Sequence, residues 1–207
     1  MSLAAQNRPS RNLLIHRDVL KPGIEATYKG IEEDAARFCA ELKCPNVHMA
    51  LESVTVPTEV LWLTAFDSEA EKQKIIDDYA ANRPLTAALA VISKRREGLL
   101  TTDVDVFTVY RADLSRGDQW KPAGARFAVV TMTKRGDRLE GSIFEAPDGT
   151  RFALRAFRTH EAADAVATGI GPEARVFAVR PYWGLPAREW IDADPEFWKA
   201  NPVVKLR

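Results

Sequence analysis

Residues 12–23 read NLLIHRDVLKPG, a run with apolar side chains on both sides of the pleat that stops at Lys21-Pro22-Gly23. A central strand covered on both faces has this pattern, so a strand is predicted over Asn12–Leu20. From Ile24 onward the apolar residues Ile24, Tyr28, Ile31, Ala35, Cys39 and Leu42 recur at three- and four-residue steps. That spacing lays one stripe along a helix of about five turns. Glu32, Glu33, Asp34, Arg37 and Glu41 fall on its remaining surface, and Pro45 ends it.

Two runs rich in β-branched and aromatic residues follow, Asn46–Thr55 and Thr58–Phe66, separated only by Val56-Pro57. They are too close for anything but a hairpin. Ser68-Glu69-Ala70-Glu71 is a capping box that starts a helix running to about Asn82. Pro84 suits the first turn of another helix, and Lys94, Arg95 and Arg96 before Gly98 read as helix-ending cations, not as a nucleic-acid patch. Thr102–Arg111 is the next strand. The first 111 residues thus have the order β-α-β-β-α(α)-β, a split βαβ, ferredoxin-like arrangement with an antiparallel sheet.

A polar, turn-rich connection over Ala112–Ala123 leads to a second set: strand Arg126–Thr133, a hairpin of Ser142–Ala146 and Thr150–Phe157 around Pro147-Asp148-Gly149, a short helix from Thr159 to Gly169, and a strand over Arg175–Trp183. Leu63-Thr64-Ala65-Phe66 before a Ser cap matches Leu154-Arg155-Ala156-Phe157 before a Thr cap. Val106-Phe107-Thr108-Val109 matches Val176-Phe177-Ala178-Val179. The matches fall at the same place in each order, as a duplication would leave them. The expected fold is α+β: two ferredoxin-like, βαββαβ-type halves with antiparallel sheets form an α+β barrel whose second half is degenerate. The expected boundaries are 12–111, 124–185 and an aromatic tail over 186–207 that folds back on the body or covers an interface, because Trp190, Phe197 and Trp198 carry too much apolar area to stay exposed.

The strand Leu14–Leu20, the break at Lys21-Pro22-Gly23 before a long helix, the hairpin and the Ser68 cap together resemble the dimeric α+β barrel superfamily, which includes antibiotic-biosynthesis-type monooxygenases and NIPSNAP-like proteins. The resemblance is one of fold and brings no active-site motif with it. It implies two sheets closing a barrel, here within one chain, with a homodimer as an option. It also implies a cofactor-independent monooxygenase- or isomerase-like activity on a small apolar or aromatic substrate in a sheet–helix cleft.

Composition narrows the rest. In 207 residues, 46% hydrophobic and 28% charged, Lys+Arg and Asp+Glu both total 29, which leaves no net field to attract nucleic acid or an anionic membrane. The polar start of the chain lacks the apolar core of a signal peptide, and no apolar run approaches a membrane span, so a cytoplasmic setting is expected. Cys39 and Cys44 lack the spacing of a zinc pair and are read as reduced, with Cys39 buried. No serine nucleophile elbow, Walker-type phosphate loop or dinucleotide fingerprint is present, and no cofactor or metal ligand set is assigned.

Three histidines remain. His160 lies in a helix first turn and is expected to be solvated. His16 and His48 interrupt apolar strands, where alternation groups His16 with Asp18 and His48 with Glu52. If both strands open on one cleft, this set could serve acid–base work or bind a metal facially; otherwise the rings make structural hydrogen bonds. Trp62 and Tyr110 are pocket walls or plain core. The candidate site is therefore His16 and His48 for chemistry, with Glu52, Trp62 and Tyr110 for binding. Two functions follow: a small-molecule-binding or assembly module without a catalytic motif, or the enzyme that the resemblance implies.

Overall fold

The structure is a computed structural model that describes residues 9–117, 119–134 and 139–205; the polar lead-in over residues 1–8 lies outside the described residues. Its strands are β1 (Asn12–Leu20), β2 (Met49–Ser53), β3 (Glu59–Phe66), β4 (Leu100–Tyr110), β5 (Phe127–Thr133), β6 (Ser142–Glu145), β7 (Arg151–Phe157) and β8 (Ala174–Val179). The helices are α1 (Glu25–Leu42), α2 (Glu69–Ala81), α3 (Arg83–Arg96), α4 (His160–Ile170), α5 (Arg188–Ala193), α6 (Pro195–Trp198) and α7 (Pro202–Lys205).

The strands pair in the order β1-β3-β2-β8-β5-β7-β6-β4 and close into an antiparallel barrel. Read from β4, the first four strands run β4-β1-β3-β2; read from β8, the last four run β8-β5-β7-β6. The two runs meet at short seams. β2 and β8 pair at three positions, whereas β4 and β6 pair only at Val109–Glu145 and Tyr110–Phe144. β1, by contrast, pairs with β4 from Leu20–Leu100 to Asn12–Val109.

Alternation sorts each strand into an inner and an outer set. Leu13 and Ile15 of β1, Leu61 and Leu63 of β3, Phe152 and Leu154 of β7 and Phe177 and Val179 of β8 share one apolar cluster that fills the barrel. Aliphatic and aromatic side chains of this number leave the interior a packed core, as in other eight-stranded barrels. One end is closed by the tail, where Ala187, Trp190 and Trp198 join the same cluster as Trp120. At the other end the inward Glu59 is held by Arg17, with Nε 2.6 Å from Oε1, and by Arg175, which also donates to the carbonyls of Thr55 and Pro57.

Outside the barrel, α1 contributes Tyr28 to a cluster with Leu20, Ala50, Val60 and Trp183, and α4 covers Val129 and Val176 with Ala163 and Ala167. Helix α2 starts at the expected cap: the Glu71 backbone N–H donates to Ser68 Oγ at 3.1 Å. The Glu71 carboxylate accepts from the Asp67 N–H at 2.8 Å, one residue before the position a regular capping box would use. Among the described residues no helix is long and apolar enough to cross a membrane.

Three sequence expectations change. Cys39 and Cys44 are joined by a disulfide. Lys43 adopts the left-handed conformation at φ 60°, and the Cys44 N–H returns to the Cys39 carbonyl at 2.9 Å. This brings the two Cα atoms to 4.7 Å, inside the range a bridge requires, and removes the reduced thiol that supported the cytoplasmic expectation. The strand expected to reach Trp183 ends at Val179, before Pro181, which has no N–H for a ladder. The second strand is shorter than Asn46–Thr55, and His48 precedes it on an isolated bridge to Leu185.

Trp198 is 1% exposed in the plug, so Trp198→Ala is expected to cost about 3–5 kcal/mol in urea unfolding. Val91→Ala, at a residue 56% exposed on α3, should change stability by less than about 0.5 kcal/mol. Similar losses at both sites would mean that the tail does not close the core.

Candidate functional site

The outer face of β1 carries His16 and Asp18, and pairing with β4 sets Asp105 opposite His16 and Asp103 opposite Asp18. Four polar side chains therefore converge where two strands run side by side. His16 Nδ1 lies 2.8 Å from Asp105 Oδ1, while Nε2 lies 3.2 Å from Asp18 Oδ1 and 3.6 Å from Asp103 Oδ1.

Helices α1 and α3 complete the cluster from above. Tyr28 donates its hydroxyl to Asp18 Oδ2 at 2.5 Å and accepts from Trp62 Nε1 at 3.3 Å. Arg96 Nη1 reaches Asp18 at 3.4 Å and Glu32 at 3.3 Å. Asp18 and Glu32 are both buried, and buried charges persist only when paired in this way. Burial works against a protonated His16, but the carboxylates of Asp18 and Asp105 outweigh it and raise its pKa to about 9. Burial likewise works against an ionised Asp18, yet His16, Tyr28 and Arg96 hold it below its ordinary value. For Glu32 burial wins over Arg96, and its pKa rises to about 7. The cluster can therefore hold a positive charge among acidic groups on a buried floor.

Of the remaining sequence candidates, Trp62 borders this cluster and the others lie apart from it. His48 meets the ring of Trp62 edge-on at 5.7 Å, and its backbone exchanges hydrogen bonds with Leu185. The fit there is tight: a Cβ on Gly184 would stand 2.6 Å from the His48 carbonyl oxygen. Burial lowers the His48 pKa to about 4. Glu52 pairs with Arg180. Trp62 stacks on Trp183 at 6.0 Å on the outer side of the wall, whereas Tyr110 packs against the barrel core, bonding Gln119 at 2.9 Å and tilting against Phe144 at 5.5 Å. His16 and Trp62 are thus cross-strand neighbours in one polar–aromatic layer, while Tyr110 lies across the wall. His160 is exposed at the start of α4.

Sequence reading missed Asp103 and Asp105, although their two-residue spacing in a predicted strand was a usable signal. It also placed Glu32 on the exposed side of α1, where the structure buries it. The apolar stripe gave no reason to expect a carboxylate on that face. Arg96, read as a helix-ending cation, turns inward to meet it.

A second feature lies at the Arg17 end of the barrel. Over Leu100–Thr108, β4 has lost β6, and a cleft of about 490 Å³ opens beside Val104, Val106, Met132, Pro147 and Phe152, with Arg17 and Asp105 also on its walls. Val104 and Met132 are each 43% exposed there. On alternation, both belong to the inward-facing set of their strands.

No protein-family model matches the chain, and no curated protein matches it in sequence. Two crystal structures resemble it, both of proteins provisionally described as monooxygenases. One, from Fusobacterium nucleatum subsp. nucleatum, has 9% identity and a TM-score of 0.49, covering 86% of this chain and 94% of the other. The second, from Lactobacillus acidophilus, has 6% identity and a TM-score of 0.46, with 82% and 94% covered. Likenesses this remote carry no argument about activity; the fold rests on the strand pairing itself.

His48 gives the fold a pH signature. An unfolded histidine takes its proton near pH 6.5, whereas folded His48 resists it down to about 4. The unfolded state therefore binds more protons in that window, so this contribution to stability is complete above pH 6.5 and declines as pH falls towards 4. Urea unfolding of wild type and His48→Leu between pH 7 and 5 should show a shallower decline in the variant. Parallel curves would mean that His48 does not stay neutral in the folded protein.

Proposed function

We propose that this protein is a binding module for a small, largely apolar molecule held at the open mouth of its barrel. The observation that carries the reading is the parting of β4 from β6, which leaves inward-facing Val104 and Met132 half-exposed in a concave site of about 490 Å³. Most other inward-facing apolar side chains of the barrel, such as Leu13, Ile15, Leu61 and Phe177, are buried. A cleft of this size, mostly apolar with a few charges at its edge, suits a small ligand. Arg17 is engaged by Glu59, a carboxylate that it shares with Arg175.

Turnover in a sheet–helix cleft is the weaker reading. The layer between sheet and helices is filled by Tyr28 and Trp183, which are 0% and 1% exposed, and by Trp62 between them. His16, the acid–base candidate of this layer, lies with Tyr28 on the outer side of the wall, away from the inward-facing side chains of the mouth. We also infer that the chain is a duplicated α+β barrel, with ferredoxin-like halves over 12–111 and 124–185. The matching orders β4-β1-β3-β2 and β8-β5-β7-β6 support this. The balanced charge supports a small-molecule partner over nucleic acid.

The test uses the dye 1-anilinonaphthalene-8-sulfonate as an apolar probe. Wild type should bind it saturably. Val104→Glu and Met132→Glu should each weaken binding at least tenfold, which corresponds to about 1.4 kcal/mol, because a carboxylate would be placed against the bound rings. Both positions are partly exposed, so urea stability should move little. Absence of saturable binding, or variants that bind as wild type does, would overturn the assignment.

A further inference from the structure

We propose that His16, Asp18 and Asp103 form a site for one divalent transition-metal ion, with Asp105 bracing His16 from behind. His16, Asp18 and Asp103 each offer a ligand atom within 4.8 Å of the others, and Nε2 of His16 faces Asp18 Oδ1 and Asp103 Oδ1. Nε2 stands 3.2 Å from the first oxygen and 3.6 Å from the second. Ligands about 2.1 Å from a common ion stand roughly 3.0 Å apart in a cis octahedral arrangement and roughly 3.4 Å apart in a tetrahedral one. The observed gaps are of that size.

A second observation points to the same spot. His16 Nε2 and Asp18 Oδ1 are buried atoms that face each other as an ion pair at 3.2 Å and have no further partner, with Asp18 0% exposed. A metal ion bound by both would replace the proton they share and take up the lone pairs left over. The surroundings are those of a supported ligand set. Asp105 accepts from His16 Nδ1 at 2.8 Å, so that when an ion displaces the Nε2 proton the ring keeps its Nδ1–H and turns the freed Nε2 lone pair towards the ion. Tyr28 and Arg96 occupy the other oxygen of Asp18 and hold its carboxylate in place. Asp103 is 59% exposed and completes the set from the solvent side, where further coordination positions remain accessible to water. One imidazole with two carboxylates suits Mn²⁺, Fe²⁺, Co²⁺ or Zn²⁺ better than a soft ion that prefers thiolates. Asp105 also lines the mouth cleft, but none of the three ligating residues does.

The experiment is calorimetric titration of the EDTA-treated full chain with MnCl₂ and CoCl₂, with cobalt absorption as a second readout. One ion per chain is expected. Asp103→Asn should weaken binding at least tenfold while the metal-free melting temperature and circular dichroism stay at wild type, because its side chain is exposed. His16→Gln should abolish binding. Asp105→Asn should keep the stoichiometry and lose about 10–100-fold in affinity. No saturable one-to-one binding of either ion below millimolar concentration would overturn the proposal, as would binding that survives unchanged in both Asp103→Asn and His16→Gln.

Discussion

The two-residue alternation of β1 is the constraint on which the rest depends. Leu13 and Ile15 commit one face to a dry barrel interior, and this forces His16 and Asp18 out into the layer beneath α1 and α3. A slip of one residue would exchange the faces, setting a histidine and a carboxylate among Leu61, Leu63 and Phe177. Nothing in that cluster could solvate them. The apolar core and the polar cluster are therefore two outcomes of one register.

Closure follows from the same sorting. Eight strands, each apolar on its inner side, bury that side only by curving round on one another. The paired order within each run of four strands is continuous, whereas the seams between the runs are short. The C-terminal segment helps to compensate: Trp190 and Trp198 enter the interior at one end, and Asn201 donates to the Gly184 carbonyl at 2.6 Å to tie the last turn to the chain beside His48. Where no such cover exists, at the Arg17 end, the wall stays open.

Much of this was legible from the residues alone. The strands, the capped helices and the Pro147-Asp148-Gly149 hairpin carry local chemistry that fixes them with little tertiary help. The aromatic tail had too much apolar area to remain in water. Side-chain partnerships between distant elements were less legible. Period-2 reading joined His16 to Asp18 but could not say that β4 would lie beside β1 and bring Asp103 and Asp105 with it. Helical periodicity placed Glu32 outside because it counts apolar positions, and a carboxylate buried through an arginine on another helix leaves no trace in that count. The bridge between Cys39 and Cys44 likewise depends on the left-handed turn at Lys43, a residue type that gives no warning of it.

The parted stretch of β4 has a consequence for encounters between copies of the chain. A strand with one unpaired side invites another strand to add to it. Here Asp103 and Asp105 project from that strand, 59% and 56% exposed. Two such strands brought together would press like charges against each other before their backbones could join. The same carboxylates that gather around His16 thereby guard the barrel against lengthening into a shared sheet.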